Sequence, residues 1–232
     1  MKKQFLTGMK DGLPICLGYL SVSFGFGILA AGLGLTPFTA WLISAANLTS
    51  AGQVAGVGII AAGGTYLEMA LTQLVINIRY ALMGLSLSQK LDSSFRTSHR
   101  LLAAYGITDE IFAVSHAKEG LLKPVYMYGM ILVAFLGWTT GTLLGAVAGE
   151  LLPQALTDAM GIMLYGMFLA IIIPAAREDR GALTVVAAAA VISIFFYYVL
   201  TAVSGGFSVI ISSVAAAAIG AVLLPIQEKE GL

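Results

Sequence analysis

Charge is scarce in this 232-residue sequence. Only 10% of its residues are Asp, Glu, Lys or Arg, against about 25% in an ordinary soluble domain. A water-facing surface cannot be built from so few, which excludes a soluble enzyme, a nucleic-acid binder and a disordered chain. Cysteine is almost absent. Cys16 stands alone, so an internal disulfide and a cysteine-based zinc site are both ruled out. Two histidines, His99 and His116, lie 17 residues apart with no paired ligands, and no metal is expected. Bulk charge has no sign, with 12 basic against 12 acidic residues. The sequence also lacks a Gly-x-Ser-x-Gly elbow, a His-Glu-x-x-His helix, a phosphate loop and a cysteine pair. No enzymatic activity and no cofactor follow from it. Uphill work would have to draw on an ion gradient or a partner protein.

What the sequence has is apolar length, with 59% hydrophobic residues. Six segments of about 20 or more mostly apolar residues read as full membrane crossings: 13–34, 65–88, 124–149, 155–176, 182–203 and 206–226. Lys2, Lys3 and Lys10 precede the first. That run is too long for a signal-peptide core, and further spans follow, so it reads as a transmembrane helix. Pro14 and Pro124 fall near helix starts, where proline does least harm. The region 37–62 differs. Pro37 to Ala46 and Val54 to Ala62 are apolar pieces of half a bilayer each, separated by the polar stretch from Asn47 to Gln53. The expected fold is an all-α integral membrane protein, a single polytopic domain over 1–232. It has about six full transmembrane helices and a broken or re-entrant helical hairpin at 37–62.

The basic residues orient it. Lys and Arg concentrate in short cytoplasmic loops. Three precede the first span, five lie in 89–123 (Lys90, Arg96, Arg100, Lys118, Lys123), two in 177–181 and one at Lys229. The intervening loops hold none, and Arg79 is the twelfth. These positions agree if 37–62 is a re-entrant hairpin that enters and returns on the outer side, and both termini are then cytoplasmic. Two short crossings in 37–62 would give the same orientation elsewhere, and one kinked full crossing is the rival.

Several residues are costly in a bilayer. In 65–88, Gln73 and Asn77 share a helix face. Asn77 falls near mid-depth, and Arg79 lies slightly further in. A central arginine costs about 2.5–3.5 kcal/mol on insertion scales. It should face the bundle interior or a wet cavity, where a planar guanidinium can hold a carboxylate. Glu68, in the first turn of this span, is expected to reach outer water. The hairpin tip offers Asn47, Thr49, Ser50 and Gln53. Non-helical backbone at depth is tolerated where protein or a cavity covers it, and broken helices of this kind bind transported solutes.

The polar loop contains Thr108-Asp109-Glu110 between apolar runs. It reads either as a surface helix with Thr108 as N-cap and two acids in its first turn, or as a segment dipping into the bundle. In the second case Asp109 or Glu110 would neutralise Arg79 or carry a coupling proton. Gly137, Gly141, Gly145 and Gly149, each four apart, form a smooth stripe for close helix packing, within the chain or between subunits. The candidate substrate residues are therefore Asn77, Arg79, Gln53, Asn47 and Ser50. Asp109 and Glu110 are the candidates for coupling or charge pairing.

Leu13-Pro14, Gly18-Tyr19, Phe26-Gly27-Ile28-Leu29-Ala30, Ser44, Ala51-Gly52-Gln53, Asn77-Ile78-Arg79 and Asp109-Glu110-Ile111-Phe112-Ala113 occur in that order. Together they resemble the AzlC-like family, the large subunit of branched-chain amino acid exporters. Ser21 and Leu48-Thr49-Ser50 depart from its usual pattern. The resemblance implies a bacterial inner-membrane exporter of hydrophobic amino acids and a small multi-span membrane partner subunit. A non-transporting membrane scaffold and a passive channel are the competing functions.

Overall fold

The computed structural model describes residues 1–151, 153, 155, 166, 169, 172–174 and 176–223. Among them the regular elements are all helices: α1 (Lys2–Gly32), α2 (Pro37–Ala46), α3 (Ser50–Ala61), α4 (Tyr66–Ser88), α5 (Thr97–Tyr105), α6 (Asp109–Ala117), α7 (Pro124–Leu151), α8 (Arg180–Tyr198) and α9 (Gly205–Leu223). Five of these, α1, α4, α7, α8 and α9, are long and apolar enough to cross a membrane. The all-α membrane fold read from the sequence is the one observed. The expected span 155–176 lies almost wholly outside the described residues, as does the end of 206–226. The chain falls into two compact units: Met1–Val57 with Ile76–Leu164, and Gly58–Val75 with Tyr165–Leu232.

In the first unit α1 starts well before its apolar run, at Lys2, so Pro14 sits inside the helix rather than at its start. Its ring removes one backbone hydrogen bond there. The helix continues because α7 packs along it. The glycine stripe makes that contact. A Cβ at Gly137 would lie 2.4 Å from the Cys16 carbonyl oxygen, at Gly141 2.4 Å from that of Leu20, and at Gly145 2.0 Å from that of Phe24. The fit is mutual, since a Cβ on α1's Gly27 would lie 2.2 Å from the Thr142 carbonyl. In lipid there is little hydrophobic drive between helices, so close van der Waals contact of this kind holds them. The stripe is thus filled by α1, which removes it as the surface for another subunit.

The hairpin is broken as the sequence suggests. Thr36 caps α2, its hydroxyl accepting from the Thr39 N–H at 3.2 Å, and Pro37 occupies the first turn. The helix stops at Asn47, which is extended (φ −138°, ψ 90°). Asn, Thr and Ser bind backbone groups with their own side chains and so compete with helix. Helices of 10 and 12 residues are about 15 and 18 Å long, and neither spans about 30 Å of hydrocarbon alone.

The polar loop forms two helices, and α6 belongs to the packed interior. Ile111 is fully buried in one cluster with Ile15, Tyr19, Met127, Met130 and Trp138. Of the two sequence readings, the structure takes the segment that packs into the bundle and retains the Thr108 cap. The loop ends are tied by a β-bridge between Leu91 and Leu122. The Lys90 ammonium donates to the carbonyls of His116 and Lys118, each at 2.6 Å. Cations at a helix C-terminus satisfy its free carbonyls.

In the second unit α3 ends on Gly63, whose φ of +65° suits a glycine after a helix. Asp179 caps α8 through Gly181 N–H at 2.7 Å. Here Glu68 departs from expectation. It does not reach open water: it is 4% exposed and bonded to Ser204 and Gly206. Its position in the first turn suggested water, but the N-terminus of α9 covers it.

Candidate functional site at the broken helix

Within the first unit, the hairpin tip, α4, α6, α1 and α7 bring polar groups together. Thr49 is the junction. Its hydroxyl donates to Asn77 Oδ1 at 3.0 Å and accepts from the Tyr80 phenol at 3.2 Å. Asn77 and Tyr80 are three apart on α4 and so share a face. Arg79, between them in sequence, donates to Tyr80 Oη at 3.4 Å, and its guanidinium lies 5.1 Å from the Tyr80 ring centroid. Its other terminal nitrogen pairs with Asp109 Oδ2 at 2.7 Å. The side chains of Arg79 and Asp109 are 41% and 44% exposed. The described residues therefore leave both side chains only partly covered.

Asp109 opens α6 one residue after its cap. Thr108 Oγ1 accepts from Ile111 N–H, and the partial positive charge of the helix start favours both Asp109 and Glu110 there. Burial nevertheless pushes the Asp109 carboxyl above the usual range, outweighing the attraction of Arg79, and the neighbouring Glu110 adds to the rise. Glu110 turns the other way. Tyr19 Oη lies 2.5 Å from both Glu110 Oε2 and Thr108 Oγ1. A phenol has one proton, so it donates that hydrogen bond to the Glu110 carboxylate and accepts one from the Thr108 hydroxyl. Tyr19 in turn packs edge-on against Trp138, with centroids 5.1 Å apart.

A buried polar ring fastens the hairpin to α7. Trp138 Nε1–H donates to Gln53 Oε1 at 3.2 Å, and Gln53 Nε2 donates to Ser44 Oγ at 3.1 Å. Ser44 and Thr142 hydroxyls are 2.7 Å apart, and Thr142 donates to the Trp138 carbonyl at 3.1 Å. Ser44 therefore gives its proton to Thr142, and each group in the ring is satisfied. Gln53 is 1% exposed. The structure places it in the wall, joining the two halves of the hairpin, and not at the open pair. Tyr105 adds a hydrogen bond to the Ala45 carbonyl, one of the groups left free at the end of α2.

Of the sequence candidates, Asn77, Arg79 and Asp109 come together around Thr49 and Tyr80. Asn47 and Ser50 flank Thr49 and are half-buried. Neither of their side chains forms a hydrogen bond among the described residues. Glu110 and Gln53 stand behind them, on Tyr19 and Trp138. The candidate list omitted Tyr19, Tyr80, Trp138, Ser44 and Thr142. Tyr80 was detectable, being one residue from Arg79 and on the Asn77 face. Trp138 and Thr142 sit in an apolar span with no local sign of a polar role.

The family model described as "AzlC protein" matches residues 14–152, a range that holds every residue of this site. The inner membrane protein YgaZ of Escherichia coli is 31% identical over 183 residues, covering 76% of this chain and 75% of that protein. An uncharacterized membrane protein of Archaeoglobus fulgidus is 29% identical over 184 residues, 78% and 80% of the two chains. One of Helicobacter pylori is 26% identical over 178 residues, 73% and 76% of the two. No solved structure matches the chain. With the match spanning α1, the broken hairpin, the arginine-bearing helix, α6 and α7, the chain belongs to the AzlC family of membrane proteins.

Proposed function

We propose that this protein is a secondary transporter that exports branched-chain or related hydrophobic amino acids across the bacterial cytoplasmic membrane. It is coupled to protons, works with a small multi-span membrane subunit, and has both termini in the cytoplasm. The observation that carries this reading is the partly exposed Arg79–Asp109 pair beside the broken helix. The solute of such a transporter is a zwitterion with an apolar side chain. A zwitterion inserted into an ion pair meets a guanidinium for its carboxylate and a carboxylate for its ammonium. Neither of its charges is then buried unpaired, which would cost several kcal/mol, on the order of the penalty for a lone interior ion. Asn47, Ser50 and Asn77 supply neutral hydrogen-bonding groups, and the apolar hairpin helices supply a wall for the side chain. Gln53 holds that wall to α7, and Glu110 fixes the start of α6 through Tyr19.

Asp109 offsets the charge of Arg79, which keeps the cost of a membrane arginine low. The scaffold alternative loses its main support, since the glycine stripe it would use packs against α1. Uptake of labelled leucine, isoleucine and valine into inverted vesicles tests the proposal, with and without a proton gradient and with the small subunit present or absent. Accumulation that needs both the gradient and the subunit is expected. Equal uptake in vesicles lacking this chain would sink it.

A further inference from the structure

The second unit holds a carboxylate that the proposed site does not use. Glu68 Oε1 accepts two hydrogen bonds, from Ser204 Oγ at 2.5 Å and from Gly206 N–H at 2.9 Å in the first turn of α9. Two glycines make room for it. A Cβ at Gly206 would lie 2.5 Å from Oε1, and one at Gly64 2.9 Å from Oε2. The carboxylate is thus seated in a cradle that any larger residue would fill. Oε2 has no hydrogen bond among the described residues. One turn further along α4, on the same face as Glu68, Thr72 is fully buried and its hydroxyl has no partner among the described residues. Buried polar groups are almost always bonded. A hydroxyl so placed has its hydrogen-bonding capacity left for a water.

The surrounding charges are few. Neither the turn 59–65 nor the described part of α9 carries a titratable group. The other charged residues described in this unit are Arg177, Glu178, Asp179 and Arg180, at the opposite end of the 19-residue helix α8. Glu68 is therefore balanced by hydrogen-bond donors and the start of α9, with no cation of its own unit against it.

We propose that Glu68 is the proton-binding group of the transport cycle, seated between Gly64 and Gly206 and facing the start of α9. As a carboxylate it holds α9 through Ser204 and Gly206 and through the helix dipole. A proton from the outer side, where the basic-residue map puts this end of α4, bonds to the free Oε2. The charge that the helix start favours is then gone and the hold on α9 weakens. Thr72 offers the next oxygen inward for a water carrying the proton onward. This assignment rests on the transport reading for its role in coupling, while proton binding itself can be measured apart from transport.

Two measurements separate them. In inverted vesicles containing the full chain with its small subunit, Glu68→Gln should lower gradient-driven leucine accumulation about tenfold or more. Leucine–leucine exchange without a gradient should stay near the wild-type rate. Accumulation retained in Glu68→Gln, or exchange lost together with accumulation in a folded protein, overturns the assignment. Should the wild type move no leucine at all, the transport reading fails, and infrared titration of the purified chain still tests the site. A carboxyl band that appears on acidification in the wild type and is absent in Glu68→Gln is expected; a titration identical in both overturns proton binding at Glu68. If Glu68→Gln does not fold, Glu68→Asp replaces it. The shorter acid must shift the pH midpoint of that band, and an unmoved midpoint has the same negative meaning.

Discussion

Arg79 on α4 and Asp109 at the start of α6 are joined by an ion pair of 2.7 Å, although 30 residues separate them in sequence. Both remain about two-fifths exposed, and Tyr80 and Thr49 link the arginine to the tip of the broken hairpin. An arginine in a membrane helix, an acid held by a helix start and an interrupted helix thus share one place.

If the guanidinium holds the carboxylate of the solute, Arg79→Lys keeps the charge and loses the planar fork. The apparent affinity for leucine in the vesicle assay should fall about tenfold or more. Asn77→Ala removes the acceptor for Thr49 and should weaken transport by a smaller factor. Unchanged rate and affinity in Arg79→Lys would confine that residue to pairing with Asp109.

The raised Asp109 carboxyl has a thermodynamic consequence. Its folded value lies above the unfolded one. The associated stability is fully present below the unfolded value and is lost as pH rises through the folded one. Asp109→Asn cannot ionise and should show a flatter dependence of melting temperature on pH from mildly acidic to neutral buffer. The effect is small because the side chain is partly solvated. Parallel curves for the two proteins would mean that Asp109 titrates alike when folded and unfolded.

Gln53 makes a different kind of prediction, one of anchoring. Gln53→Ala leaves the Trp138 indole N–H without its acceptor and Ser44 without a donor, both buried. Leaving such groups unsatisfied costs about 1–3 kcal/mol each. Melting in detergent should show a clear loss of stability. A variant as stable as the wild type would mean that water fills the ring.

Close packing of α1 on α7 predicts that Gly145→Leu is severe. Its first side-chain atom would enter the Phe24 carbonyl, 2.0 Å away. Overpacking typically costs about 1–3 kcal/mol, and more is expected where backbone is the obstacle. Gly84, with open space around it, is the control: Gly84→Leu should express and melt normally. Similar yields and melting for both variants would contradict the packing.

The hairpin can be read by labelling. In a Cys16→Ala background, single cysteines replacing Leu33, Ala62 and Ser93, all exposed, report their side of the membrane. Leu33→Cys and Ala62→Cys should react from outside, and Ser93→Cys only after permeabilisation. Reaction of Ala62→Cys from inside alone would make 37–62 a full crossing.

Sequence by itself determined the solvent and the elements of this protein. So few charges among so many apolar residues leave a bilayer as the medium, where only helices satisfy their own backbone. Segment length set the long spans, and the polar run from Asn47 marked the break between α2 and α3. The cost of a buried arginine singled out Arg79, and Thr108 announced the start of α6. Tertiary structure decided which partners these residues meet. It gave the glycine stripe to α1, Gln53 to Trp138, Asp109 to Arg79 and Glu68 to the start of α9. The Asp109–Arg79 pairing was foreshadowed as one of two readings of the polar loop; the other three were not legible, because local sequence fixes which face of a helix is polar or smooth. It does not fix which distant helix, some 30 to 140 residues away, comes to lie against that face.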